Sequence, residues 1–569
     1  MQSSVMWDYI VVGGGIAGSV ISSRLIEQDH SLKILLIEAG PDVSSRTDLT
    51  YVNSTNLIMG DFDYNDQTVP QANLNNRQIG NSGGRALGGG SVINTGGWIR
   101  GDKVDYDLWA KTVGDQRWSY DSQLPYFRKT ENWCDPKQHP DQHGMDGPVY
   151  VATPSSTGRE YPLRDQVLES WRQIGVDALP ELDANAGRIQ GVGAMYENRR
   201  EGKRQITSSV YSLDGVTVLT ETVVDSIMLT KGGADGNDVQ ATGVRLANGT
   251  EYEAKRVIIT AGAYRTPQLL MLSGIGPAET LAKHGIEPKV EMPDVGRHLA
   301  DHVMYYMFWK LKDPSLGYAL GSSNPLFSEQ QFGLGNANDF ITSTVIPQDE
   351  GLARAIAKDE ADQAAEGNGD GFNDPQHPLY MENFILYVPL PSADPIIPVD
   401  GTHITTTMVS LHPTSRGSVT ISSRDPRAPP VIDPRYLSTE VDRHVWRTAL
   451  RQMASLVASD STILGREVIA SETPPSAFAG RPLSSARDVL EDDAYLDARV
   501  AAGAISTYHG QGTCAMGKVV EPSTLRVRGV RGLYVADASV IPVVLGSHIQ
   551  AAVYALAEQA AVLIAQDQQ

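Results

Sequence analysis

The chain has 569 residues, more than one hydrophobic core usually organises, so two domains are expected. With 47 basic residues against 68 acidic ones, its formal charge of -21 argues against nucleic acid and anionic membrane partners, whose binding rests on Lys and Arg. No run approaches the roughly 18 apolar residues of a membrane span.

A 41% hydrophobic share and 54 glycines predict a soluble α/β protein with many tight turns. Cys134 and Cys514 are the only cysteines, which excludes a disulfide framework and a four-cysteine metal site. A single bridge between them stays open, and no metal is expected. The residues ahead of "WDYIVV" are too few and too polar for a secretory leader. That leaves a cytoplasmic location, or a secreted one whose leader is absent from this sequence.

The segment "DYIVVGGGIAGSVISSRLIEQDHSLKILLIEAG" reads strand, glycine turn, helix, strand. Tyr9 to Val12 form an apolar, β-branched run, and Gly13, Gly15 and Gly18 follow in the Gly-x-Gly-x-x-Gly spacing. Glycines there let the backbone approach a pyrophosphate, whose charge meets the helix N-terminus at Ile16 and Ala17. Glu38 ends the second strand, where a carboxylate can accept hydrogen bonds from ribose hydroxyls. Together these predict a dinucleotide site, and the acid argues against a 2′-phosphate.

Two further segments decide which dinucleotide. "GGRALGGGSVINTGGWIRGDKVDYD", Gly83 to Asp107, is a glycine-rich loop, and "GAYRTPQLLMLSGIG", Gly262 to Gly276, follows the strand-like "KRVIITA". Here the sequence resembles the glucose-methanol-choline (GMC) oxidoreductase family, which holds FAD. Gly84, Arg85, Leu87 to Ser91, Ile93, Asn94, Trp98 and Gly101 fit its first signature. Gly262, Ala263, Thr266, Pro267, Leu269, Leu270 and Ser273 to Gly276 fit its second. "DVGRHLADH" ending at His302, "HPTSRGSVTISSRDPRAPPVIDPRYL" from His412 and "GLYVADASVIP" from Gly532 are similar to family segments in the same order.

The resemblance implies a Rossmann-like FAD domain assembled from distant stretches, 1–152, 208–302 and 503–569. A substrate domain would fill 153–207 and 303–502, with "THITTTMVSLHP" and "GSVTISS" in an antiparallel sheet and "VDRHVWRTALRQMASLVA" in a helical layer. The overall class expected is thus α/β, or α+β taken as a whole. Within the second domain, Asp349 to Pro378 turns acidic and glycine-rich, as either a lid or a solvated surface excursion would.

For cofactor contacts the resemblance implies Arg85, Gly89, Gly90 and Ser91, with Asn94, Thr95, Gly96 and Gly97 lining the flavin edge. Val224 in "VLTETVV" would meet adenine through its backbone. Ala261, Asp537 and Ala538 would lie near the ribitol or pyrophosphate. Covalent members carry a histidine just before the loop asparagine; Ile93 stands there, so the FAD is expected to be non-covalent.

Oxidation of an alcohol needs a base for the hydroxyl proton while hydride leaves the carbon, and histidine titrates near working pH. His509 in "YHGQGTC", among small neighbours, matches the family's catalytic position, and His548 in "VVLGSHIQAAVYALAEQAAVL" matches the position holding His or Asn. One imidazole would accept the proton and the other orient the oxygen or stabilise its charge. Trp98 and Tyr508 are expected to shape the pocket. The partners implied are a small-molecule alcohol and an electron acceptor, oxygen or quinone-like. Two rivals remain: a lyase or cyclase with a structural FAD, and a non-enzymatic flavoprotein, against which the two histidines speak.

Overall fold

A computed structural model describes residues 5–51, 54–135, 139, 141–232, 238–366, 378–484 and 487–567. Trp7–Val12 is apolar on both faces and buried over its last four residues, as a central strand of a parallel sheet requires. It pairs in parallel with Ile34–Ile37 on one side and Glu251–Ile259 on the other. Thr217–Leu219 extends the sheet beyond Ile34–Ile37. On the far side, Asp238–Leu246 and Val224–Gly232 fold back antiparallel. Leu533–Val535, from the other end of the chain, lies parallel to Val257–Ile259.

The helix Gln550–Gln566 is alanine-rich because it packs tightly against Ile16–Gln28 over the parallel sheet. Its fully buried Glu558 would be costly alone. Arg24 and Lys129 each bring a nitrogen within 2.8 Å of the carboxylate.

The second sheet is wholly antiparallel, in the order Ile469–Glu472, Val303–Leu311, His403–Ser410, Tyr380–Leu386, Phe340–Val345, Gly191–Ala194. Ile505–Ser506 pairs with Val303 and Met304, so this sheet holds the chain just before His509. One sheet face is packed core: Tyr305, Met307, Met381, Ile385 and Met408 join Val445, Trp446 and Leu450 of the helix Glu440–Val457. By alternation the opposite face carries Met304, Tyr306, Glu382 and Phe384.

The mixed α/β class with one Rossmann-like and one antiparallel sheet is as the pattern predicts. Two details differ. "GSVT", Gly417–Thr420, does not enter the main sheet; it pairs with Arg297–Leu299 and Val431–Asp433. The chain turns away after Ser410 because Asp442, at the start of its helix, captures the N–H groups of Thr414 and Ser415 at 2.7 and 3.2 Å. The acidic segment begins as a helix, Glu350–Glu366, docked on Glu440–Val457. Its Asp359 accepts the N–H groups of Glu440 and Val441 at 2.7 and 2.8 Å, where the helix dipole favours a carboxylate. The proposed lid's remainder, 367–377, lies outside the described residues. Cys134 and Cys514 are both free thiols, so the bridge left open by the sequence is not formed.

Candidate active site

The glycine turn after Trp7–Val12 opens onto the N-terminus of Ile16–Gln28, and no side chain caps it. Gly18 is required for the packing behind this turn: a Cβ there would lie 1.9 Å from the Gly13 carbonyl oxygen. In front of it stands Gly89, with φ +53° and room for no side chain, since its Cβ would lie 2.6 Å from the Gly15 Cα. Beyond, a Cβ on Gly90 would meet nothing within 4 Å. Uncapped N–H groups at Gly15, Ile16 and Ala17, facing two side-chain-free backbones and open space, suit a pyrophosphate.

Glu38 accepts the N–H groups of Gly14 and Gly40, both at 2.8 Å. Burial pushes its carboxyl up to about 7 against those bonds. Buried and short of donors, it retains lone pairs for ribose hydroxyls. Thr222 N–H donates to the Glu38 carbonyl at 2.9 Å, which brings the Val224 strand start beside this carboxylate. These residues fit an FAD on the geometry of the cradle itself.

The other predicted contacts divide by what already occupies them. Asp537 is already engaged: its carboxylate accepts Gly262 N–H at 2.9 Å, Thr266 hydroxyl at 2.6 Å and Ser539 N–H at 2.8 Å. It staples Ala261 and the helix Gly262–Leu272 to the turn at Ala538. The Ser91 hydroxyl donates to the Gly88 carbonyl at 2.6 Å and accepts from Thr207 N–H, so it holds the loop's shape from within. Arg85 is exposed and close enough to Glu38 to favour its charged form.

Asn94, Thr95, Gly96 and Gly97 form one edge. Asn94 accepts Gly96 N–H at 3.1 Å and donates to Gln550 at 3.0 Å, while Gln550 donates to the Gly97 carbonyl at 2.5 Å. From behind, buried Arg204 and Arg199 donate to the Asn94 and Thr95 carbonyls at 2.7 and 2.8 Å. Trp98 is a correction: it is fully buried, its indole N–H donates to Glu131 at 2.8 Å, and its ring lies 5.3 Å from Tyr554. A ring with no surface open even to an unfilled site belongs to the core, not the pocket. Tyr508 is half-buried and sits at φ +64°, with its N–H donated to Ser506 at 2.8 Å. This left-handed turn aims the next residue.

That residue is His509. Asp301 accepts its N–H at 2.8 Å and, through its second oxygen, the hydroxyls of Ser506 and Tyr436. The His509 and His548 rings lie 5.2 Å apart, centroid to centroid, close enough for one oxygen to bond both. On its other side His509 Nδ1 stands 3.0 Å from Nδ1 of His302. His548 pairs through Nε2 with Glu382 at 2.8 Å and lies over Gly97, where a Cβ would come within 2.8 Å of its Nδ1.

The electrostatics separate the two predicted histidines. Burial, then the neighbouring His302 and His548 rings, hold His509 well below the ordinary histidine value, so it is neutral. Burial opposes charge on His548 as well, but the Glu382 carboxylate outweighs it and raises His548 above the usual value. A neutral imidazole thus faces one biased toward its cation.

Sequence reasoning missed Asp301, His302, Glu382 and Gln550 as members of this site. His302 ends a family-like segment and Gln550 follows His548, so proximity to motifs was a usable signal. Glu382, a lone acid in the apolar strand "YMENFIL", offered a second one: an acid inside an apolar strand calls for a partner. Among the described residues no group of three His, Cys, Asp or Glu could hold a metal ion.

With the geometry in hand, comparison with known proteins identifies the family. The GMC oxidoreductase pattern matches residues 7–304 for its N-terminal part and 413–557 for its C-terminal part. The chain belongs to the GMC oxidoreductases. It is 40% identical over 573 residues to the GMC-type oxidoreductase acuG of Aspergillus aculeatus, covering 99% of this chain and 100% of that one. Among solved structures, pyridoxine 4-oxidase from Mesorbium loti has a TM-score of 0.80 at 27% identity, covering 99% and 100% of the two chains. Formate oxidase of Aspergillus oryzae, a structure concerned with FAD modification, has a TM-score of 0.82 at 25% identity, covering 100% and 99%. This GMC oxidoreductase is therefore a flavoprotein that binds FAD, with a small-molecule substrate and an electron acceptor as its partners. Among the described residues no helix is long and apolar enough to cross a membrane.

Proposed function

We propose that this GMC oxidoreductase oxidises a primary or secondary alcohol to an aldehyde or ketone, with a non-covalent FAD held in the cradle between the turn at Gly13–Gly18 and the loop at Arg85–Gly97. The unit built on 1–152, 208–302 and 503–569 would hold the cofactor, and 153–207 with 303–502 would hold the substrate. Bound FAD supplies a hydride acceptor, N5 of its flavin ring.

The observation that carries the reading is the unequal histidine pair. Neutral His509 suits the acceptance of the hydroxyl proton, and His548, biased toward its cation by Glu382, suits donation to the same oxygen as it becomes alkoxide-like. His548 Nε2 is occupied by Glu382, so Nδ1–H is the donor left for substrate. Asp301 and the Tyr508 turn fix where His509 stands, which limits the reorganisation needed at reaction.

The substrate's body is read from the sheet face that carries Glu382. Met304 and Val409 stand in its row and Tyr306, Thr407 and Phe384 in the next. Met304, Tyr306 and Phe384 keep part of their surface free, whereas Tyr305 and Met307 on the other face are buried. A wall of that chemistry favours an uncharged, largely apolar alcohol over a sugar or an anion.

A panel of aromatic, aliphatic, furan and sugar alcohols tested for anaerobic bleaching of the yellow chromophore checks this. Bleaching by apolar alcohols supports the reading, and no bleaching by any alcohol sinks it. Re-aeration separates oxidase from dehydrogenase: prompt return of colour marks an oxidase.

A further inference from the structure

His302 is the third imidazole of the site and takes no part in the reaction as described. It is fully buried at 0% exposure, and its Nδ1 faces Nδ1 of His509 at 3.0 Å with the rings nearly perpendicular at 86°. The pair is held rigidly by its backbone. The His302 carbonyl accepts both the N–H and the hydroxyl of Thr507 at 2.9 Å, and Asp301 accepts His509 N–H at 2.8 Å.

A bond between two Nδ1 atoms requires one to donate and one to accept, and the choice fixes the proton on both rings. Were His302 the donor, neutral His509 would carry its proton on Nε2 and have no lone pair there for a substrate. His302 would also turn a bare Nε2 lone pair toward its own surroundings. Those surroundings hold an acceptor: the Leu545 carbonyl is the backbone group that faces this imidazole. His302 Nε2 has no other hydrogen-bond partner, so that carbonyl is the acceptor open to it. Two lone pairs facing each other in a dry interior repel, whereas Nε2–H facing that carbonyl is attractive.

Resting on the reading of His509 as the base, we infer that His302 is a positioning residue: its Nδ1 accepts a proton-bearing Nδ1–H from His509, locks that tautomer, and leaves His509 Nε2 as the proton acceptor. The order is then Leu545 carbonyl, His302 Nε2–H, His302 Nδ1, H–Nδ1 His509, and a free Nε2. Burial first, then the His412 and His548 rings, drive His302 down to about 3, so it stays neutral and cannot donate from both nitrogens. The other ionisable groups bearing on the pair are Asp105 beside His412, Glu382 beside His548, and Asp301 beneath both backbones. When His509 takes the substrate proton its charge is shared along Nδ1–H to His302, with no second transfer.

Three substitutions test the lock on the FAD-loaded enzyme. Asn places its carbonyl oxygen near the original Nδ1 and keeps the acceptor, while Gln reaches the Nε2 side and Leu offers none. His302→Leu and His302→Gln are expected to lower kcat for the best alcohol by roughly 10- to 100-fold with KM within about threefold, part of the worth of a positioned base. His302→Asn is expected to recover most of the rate. Nitrogen NMR of holoenzyme labelled in its histidines, with His509 assigned by difference from His509→Ala, reads the tautomer without turnover. The wild type and His302→Asn should show hydrogen on Nδ1 and a bare Nε2, and His302→Leu a mixture or the reverse. Hydrogen on Nε2 of His509 in the wild type overturns the inference, as does a His302→Leu rate equal to that of the wild type. A His302→Leu at the wild-type rate beside a slow His509→Ala would overturn the lock and leave the base assignment standing, so the two readings can fail separately. Thermal unfolding and the flavin-to-protein absorbance ratio of each variant exclude a folding defect as the source of a rate loss.

Discussion

Replacing His509 by Ala should leave the protein folded and loaded with FAD while slowing the reductive step. The substitution keeps the backbone N–H that Asp301 accepts, so the Tyr508 turn survives. The cofactor cradle is built from Gly15, Glu38 and Gly89, none of which His509 supports. What is lost is the proton acceptor. A positioned base contributes roughly 10²- to 10⁴-fold, or about 3 to 5 kcal/mol of barrier. The loss should fall in the upper half of that range, because neither neighbour can deputise. His548 is biased toward its cation by Glu382, and His302 is fully buried behind the vacated position. Stopped-flow anaerobic bleaching with the best alcohol measures the step directly. Bleaching at the wild-type rate by a fully FAD-loaded His509→Ala would refute the base and leave this histidine a structural residue.

Other expectations follow from the same geometry. His548→Asn should be milder than His548→Ala in the same assay, since an amide still donates to the substrate oxygen; equal losses would remove the donor role. In pH profiles of kcat/KM, lowered His509 keeps its neutral form as pH falls below about 6.5 and loses it only on passing its own folded value. Raised His548 keeps its charge as pH climbs above 6.5, so the profile should be level through that point, with an acid limb below and an alkaline limb above. Glu382→Gln removes the charge that holds His548 up, so the alkaline limb should move to lower pH; an unmoved limb assigns it to another group. Gly89→Ala forces a Cβ to within 2.6 Å of Gly15 and should abolish the flavin absorbance of purified protein, and normal FAD content would show the cradle to be yielding. Acid precipitation should release the yellow chromophore, because Ile93 stands before Asn94, and colour kept on the precipitate would overturn non-covalent attachment.

The parallel sheet was legible because its signals are local. Each strand is a short apolar run and each turn a fixed glycine spacing, and the pairing of Trp7–Val12 with Ile34–Ile37 needs only the one intervening helix. The second sheet was legible as a kind of structure but not in its membership. "GSVT" has the alternation of a sheet strand, yet its partners were decided by Asp442, a helix residue that captures Thr414 and Ser415 and sends the chain elsewhere. Trp98 illustrates the same limit in the site. A tryptophan one residue beyond the flavin-edge loop reads as a pocket wall until Glu131, 33 positions along, is seen to accept its N–H. The acidic segment likewise reads as solvated until Asp359 is found at the start of Glu440–Val457.

The chemistry of the two predicted histidines lay beyond sequence for a related reason. Nothing in "YHGQGTC" or "LGSHIQ" says that one imidazole is held neutral and the other biased toward its cation, because neither environment is made by its own segment. Burial first and then two other imidazoles depress His509; one carboxylate, on a strand more than 100 residues from either motif, raises His548 against its own burial. Removing Glu382 alone would let burial depress both rings, giving two neutral imidazoles around one hydroxyl and no cationic donor for the alkoxide. The sign of the division therefore rests on Glu382. The same reasoning explains why an apolar sheet face can carry a single buried acid: its Oε1 is matched by His548, and its charge is what makes the pair unequal.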